Sequence, residues 1–176
     1  KGLKDAYGIE PHKQFSNYAR NKLKLNVHTG TLEDWISDKK FDLIIMRDVL
    51  EHFLRPDKAL KIIKKHCHKN SIIFIETNNV FKTLYLTKPY KHVFQWAHPF
   101  TFSVNSLENL LNLCGFNMTA VKDERYLKCI ARKSSNLNSM KQNFKKDKTE
   151  DVLKYINNHN RLLKIKNFYR KIRGLI

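Results

Sequence analysis

The chain predicts an α/β fold: buried-strand and amphipathic-helix patterns alternate over its first two thirds, an antiparallel hairpin follows, and a basic helix closes the sequence. Three observations carry this reading. Phe41 to Met46 is a continuous apolar run with Asp42 near its start, the look of a strand covered on both faces. Ser71 to Glu76 is a second such run, separated from the first by a helical pattern. Met118 to Val121 and Tyr126 to Ala131, flanking the charged Lys122 to Arg125, read as the hairpin.

The elements follow in order. Tyr7 to Glu10 is a short strand ending in an acid, and Pro11 suits the first turn of a helix. Phe15, Ala19 and Leu23 recur every four residues, predicting one apolar helix face. Val27 and His28 form a brief strand closing at Gly30-Thr31. After Phe41 to Met46, Pro56 and Asp57 open a helix whose inner stripe is Ala59, Leu60, Ile63 and Cys67, with His68-Lys69-Asn70 at its end. The stretch from Thr77 to Phe102 is irregular and aromatic, including Tyr85, Tyr90, Phe94 and Trp96, and a loop of that length is expected to be a lid or a substrate-binding element. Asn105 and Glu108 fit a capping box for a helix lined by Leu107, Leu110, Leu111 and Cys114 and ended by Gly115. Residues 134–150 read as a polar linker and 151–176 as a basic amphipathic helix, with Leu162, Ile165, Phe168 or Tyr169, Ile172 and Leu175 on one face.

Composition narrows the class of function. A chain of 176 residues with 41% hydrophobic content supports one core, here residues 1–133, plus an extension. No apolar run reaches the roughly 20 residues of a membrane span, so a cytoplasmic protein is expected. Cys67, Cys114 and Cys129 are far apart and sit among aliphatic neighbours, predicting buried free thiols rather than disulfides or a zinc site. The formal charge of +18 favours anionic partners. The cationic helix suggests peripheral contact with an anionic membrane through residues 154–176, with nucleic acid the less favoured alternative.

Glu10 after the first strand, the Gly30-Thr31-Leu32-Glu33 loop and the Asp48-Val49-Leu50-Glu51-His52 segment together resemble the class I S-adenosylmethionine-dependent methyltransferases of the small-molecule, glycan and quinone type. The resemblance implies a Rossmann-like sheet with helices on both faces, S-adenosylmethionine as cofactor and methyl transfer to a small-molecule or glycan acceptor. It implies that Glu10 accepts from the ribose hydroxyls, where a carboxylate offers two acceptors to adjacent donors. Thr31 and Leu32 would border adenine, although the loop also reads as an ordinary strand-ending turn. Met46 and Arg47 would lie beside the methionine part. On a helical turn Asp48, Glu51 and His52 would share a face and could bind a divalent metal, with His98 as an outside ligand; alternatively Glu51 and His52 brace the helix without metal. His98, in Trp96-Ala97-His98-Pro99-Phe100, is the candidate catalytic base, since imidazole titrates near neutrality, or else a structural residue of the aromatic loop.

The family's glycine-rich turn has no counterpart among Gly2, Gly8, Gly30, Gly115 and Gly174. The expectation is a domain truncated before its second strand, binding cofactor poorly or not at all, or a degenerate pseudoenzyme.

Overall fold

A computed structural model describes residues 5–82, 97–135 and 144–172. The chain divides into two compact units, 1–40 and 41–176. In the first unit, β1 (Tyr7–Glu10) and β2 (Asn26–Thr29) pair in parallel through α1 (Lys13–Asn21). The packed face of α1 is polar, contrary to its apolar period. Ser16 is buried and bonds Thr29 Oγ1 at 2.8 Å, and Arg20 donates to the Val27 carbonyl at 2.9 Å, while Phe15 and Leu23 lie exposed. Arg20 supplies several donors in a fixed fork, which a short two-stranded sheet uses to satisfy backbone acceptors.

The second unit holds β3 (Phe41–Arg47), α2 (Pro56–Lys65), β4 (Cys67–Asn78), α3 (Val104–Leu113), β5 (Phe116–Asp123), β6 (Tyr126–Lys133) and α4 (Thr149–Ile172). Its sheet has the order β3-β4-β6-β5, with β3 and β4 parallel and the other pairs antiparallel. This is the parallel-then-hairpin pattern expected from the sequence. Alternation decides which residues are inside. Met46, Ile73, Ile75, Thr77, Leu127, Cys129 and Ala131 are buried together with the helical residues Ala59, Leu60, Ile63, Leu107 and Leu111. The opposite face differs from the expected strand covered on both sides, because Leu43 and Ile45 are exposed.

Several boundaries shift for identifiable reasons. Helix α2 stops at Lys65, and Cys67 to Asn70 join β4, where Cys67 pairs with Phe41 across an irregularity in register. Cys67, Cys114 and Cys129 are buried thiols that form no disulfide, as expected. The N-cap of α3 is Ser103, not Asn105; Ser103 and Ser106 form the reciprocal cap, since Ser103 Oγ accepts from the Ser106 N–H at 3.0 Å. Asn105 and Glu108 serve the chain that follows. Asn105 donates to Asp147 at 2.8 Å, Asn109 to the Lys145 carbonyl at 2.7 Å, and Lys145 pairs with Glu108 at 2.7 Å. The end of the expected linker is thus pinned along α3.

Helix α4 begins at Thr149 and buries His159 and Leu163, with Tyr155 edge-on to Phe81 at 5.9 Å. Leu162, Ile165 and Phe168, which periodicity places on one face, are on its outside. Leu175, Gly2, Gly174 and the aromatic residues Tyr85, Tyr90, Phe94 and Trp96 lie outside the described residues. Among the described residues no helix is long and apolar enough to cross a membrane.

Candidate active site

Parallel pairing of β3 with β4 sets Met46 opposite Ile75 and Arg47 opposite Glu76, so both strands deliver their carboxyl ends to one edge. Ligands of open α/β sheets bind at such an edge. Met46 is buried beneath it. Arg47 is exposed and donates from Nε to Glu76 Oε1 at 3.1 Å, and Lys128, opposite Glu76 on β6, approaches the other oxygen at 3.5 Å. The buried Glu76 carboxyl therefore lies between two cations on adjacent strands, which offsets the cost of removing it from water. Sequence reading did not single out Glu76 or Lys128, because their pairing depends on register.

Asp48 follows β3 with φ of 50° and donates its N–H to the Glu76 carbonyl at 2.9 Å. That left-handed residue separates the strand from a 3-10 turn, Leu50–His52. Asp48, Glu51 and His52 do not share a helical turn, so the expected convergent face is not formed. Among the described residues no three acidic, histidine or cysteine side chains are grouped to hold a metal ion.

What the turn does bring together is Glu51, His52 and His98. Glu51 is buried; its Oε2 accepts from the Thr77 hydroxyl at 2.8 Å and its Oε1 from Asn78 Nδ2 at 3.3 Å. These two bonds brace the turn against β4. Asn78 Nδ2 also faces His98 Nδ1 at 3.5 Å, the limit of a hydrogen bond. An amide nitrogen has two protons and both neighbours are acceptors, which assigns the neutral His98 proton to Nε2. His52 Nδ1 lies 2.8 Å from the Ala97 carbonyl. A carbonyl only accepts, so His52 carries its proton at Nδ1 and presents Nε2 as acceptor. The two rings meet edge to face, with centroids 4.5 Å apart. Thr77 and Asn78 were missed as functional residues; the available signal was the Thr77-Asn78-Asn79 run directly after an apolar strand.

In the amino-terminal unit, Glu10 ends β1, and its Oε1 accepts the His12 N–H at 2.7 Å at the start of α1. One carboxyl oxygen is thereby engaged at the start of α1. Thr31 gives its N–H and O–H to Asp34 Oδ2 at 2.9 and 2.7 Å. These two bonds hold the exposed Asp34 carboxyl below its ordinary range. Thr31 Oγ1 keeps its lone pairs, which suits an amine donor, and Leu32 is half-buried next to it. Glu10 and Thr31 thus each keep a hydrogen-bond acceptor at the carboxyl ends of β1 and β2.

A family model described as "Methyltransferase domain" matches residues 1–121. The chain is 33% identical over 67 residues to a ubiquinone biosynthesis O-methyltransferase of Rickettsia prowazekii (strain Madrid E), covering 38% of this chain and 27% of that protein. It thus spans about a quarter of the length of that curated relative. An S-adenosylmethionine-dependent methyltransferase from Clostridium acetobutylicum has the same fold at TM-score 0.61 and 11% identity, over 74% of this chain and 76% of that one. So does magnesium protoporphyrin IX methyltransferase from Synechocystis, solved with bound S-adenosylhomocysteine, at TM-score 0.57 and 15% identity over 73% and 64% of the two chains. On the family match across more than half of its length, this chain belongs to the methyltransferase domain family.

Proposed function

We propose that the chain carries out S-adenosylmethionine-dependent methyl transfer to a nucleophilic atom of a small-molecule acceptor, with a hydroxyl oxygen as the first candidate. The observation that carries this reading is the histidine pair on the turn after β3, held by Glu51, Thr77 and Asn78 at the sheet's carboxyl edge. The curated relative that acts as an O-methyltransferase supports oxygen as the acceptor atom. A sugar hydroxyl offers the same chemistry, so a glycan falls within the proposal.

When bound, S-adenosylmethionine supplies a methyl group already activated on a sulfonium. The chain's contribution is then orientation and proton removal. Glu10 would accept from ribose hydroxyls, and Thr31 and Leu32 would receive the base edge and ring. For the proton, the tautomers favour His52 over His98. His52 Nε2 is an acceptor in the neutral ring, whereas the acceptor nitrogen of His98 is turned to Asn78. As the methyl group's bond to sulfur breaks, leaving a neutral thioether, and its bond to the acceptor oxygen forms, the acceptor hydroxyl would pass its proton to His52 Nε2. His98 would keep the His52 ring in place. No step requires a metal.

Calorimetric titration of the chain with S-adenosylhomocysteine tests the cofactor assignment. Binding that weakens at least tenfold in Glu10→Ala is expected, and equal affinity of Glu10→Ala and the parent chain would sink the assignment. Transfer to a panel of phenols and sugars tests the proton acceptor, with His52→Gln expected to lose turnover at unchanged cofactor affinity.

A further inference from the structure

The outward face of α4 is unexplained by methyl transfer. Its inward side is settled: His159 and Leu163 are buried, and Tyr155 packs on Phe81. On the adjoining, outward side Leu162, Ile165 and Phe168 are 53%, 44% and 63% exposed. At 100° per residue these three fall within one stripe about a third of the circumference wide. Arg161 lies inside the stripe, Lys164 and Lys171 flank it on one side, and Lys166 flanks it on the other. The acids of α4, Glu150 and Asp151, are confined to its first turn.

We propose that this face of α4 docks on an anionic membrane surface, lying in the interfacial plane with Leu162, Ile165 and Phe168 inserted among the acyl chains and the lysines among the headgroups. Charge complementarity selects the occupant. A second copy would bring the same cations face to face, which is repulsive. Nucleic acid would satisfy the cations but leave an apolar stripe against phosphates, with no gain from its burial. An anionic bilayer satisfies both parts, because long basic side chains reach the headgroups while apolar ones enter the boundary region. The helix is already anchored to the unit by its inner face, so binding would not have to meet the cost of folding it.

The test is co-sedimentation of the full chain with vesicles of equal parts phosphatidylcholine and phosphatidylserine, against pure phosphatidylcholine. Binding only to the anionic vesicles is expected. Each of Lys164→Gln, Lys166→Gln and Lys171→Gln should weaken it about fivefold, the factor for one cation near an anionic leaflet. The double variant Ile165→Ser, Phe168→Ser should weaken it about tenfold or more while keeping the parent's circular dichroism. Because all five positions are on the exterior of α4, folding should be preserved. Anionic-vesicle binding that survives the double variant would overturn the proposal. So would equal retention of single-stranded RNA, or a dimer abolished by the same double variant.

Discussion

The strongest test of the site's architecture is Thr77→Val. The Thr77 hydroxyl is fully buried and donates to Glu51 Oε2 at 2.8 Å, and Glu51 itself is 1% exposed. Valine matches threonine in shape, so the change removes one donor without opening a cavity. A hydrogen bond to a carboxylate contributes about 1.5–3 kcal/mol. The methyl gained in exchange returns at most ~0.8 kcal/mol. The net loss expected is therefore about 1–2 kcal/mol. With an m-value of about 2 kcal/mol per molar urea, the unfolding midpoint should fall by about 0.5–1 M. Far-UV circular dichroism of the full chain in a urea series reads this directly. The decisive control is the double-mutant cycle with Glu51→Gln, in which the two losses should fail to add by about 1 kcal/mol. A coupling below about 0.3 kcal/mol would mean that the two side chains do not act through one another, and the bracing of the turn by β4 would be refuted.

Three further outcomes follow from groups elsewhere in the fold. Asp57 is held at about 2 by its bond from Arg55, below its ordinary 3.8; a lowered carboxyl stabilises the fold above pH 3.8 and stops doing so as pH falls towards 2, so Arg55→Gln should flatten acid unfolding in that window. Burial pushes the Cys129 thiol up to about 12 from 9; between those values the unfolded thiol ionises first, stability falls as pH rises, and a thiol reagent should label Cys129 only after denaturation. Gly115 ends α3 with φ of 79°, so Gly115→Ala should cost about 1 kcal/mol in urea unfolding and Gly115→Asn less, since the Lys64 side-chain end that meets the new carbon can swing away.

The order of elements was legible because each apolar run is bounded by proline, glycine or charge. The sides of the helices were not. In α1 the period of Phe15, Ala19 and Leu23 is genuine, yet the packed residues are Ser16 and Arg20, because a two-stranded sheet presents backbone acceptors that a polar side chain can satisfy. In α4 two apolar sets compete, one through Leu163 and one through Leu162, Ile165 and Phe168. Periodicity records that both exist but does not rank them. The rank comes from neighbours distant in sequence, such as Phe81 against Tyr155. Similarly, the cap of α3 was placed two residues late because serine, aspartate and asparagine all cap well, and only Ser103 has its reciprocal partner in place.

The candidate site was legible as a segment and misread as a geometry. The spacing of Asp48, Glu51 and His52 gives a shared face only if the backbone is helical from residue 48, and the left-handed φ at Asp48 removes that condition. The same backbone reversal turns Glu51 inward onto Thr77 and leaves His52 outside against Ala97. Two neighbours in sequence thereby take opposite tasks: the carboxyl fixes the turn, and the imidazole faces solvent with one nitrogen assigned by a carbonyl. This division predicts separable defects. Glu51→Gln should lower stability and mobilise residues 48–53 in hydrogen exchange, whereas His52→Gln should leave exchange there unchanged and affect methyl transfer alone. If His52→Gln also loosened that segment, the ring would belong to the scaffold, and the proton acceptor would have to be sought elsewhere on the sheet edge.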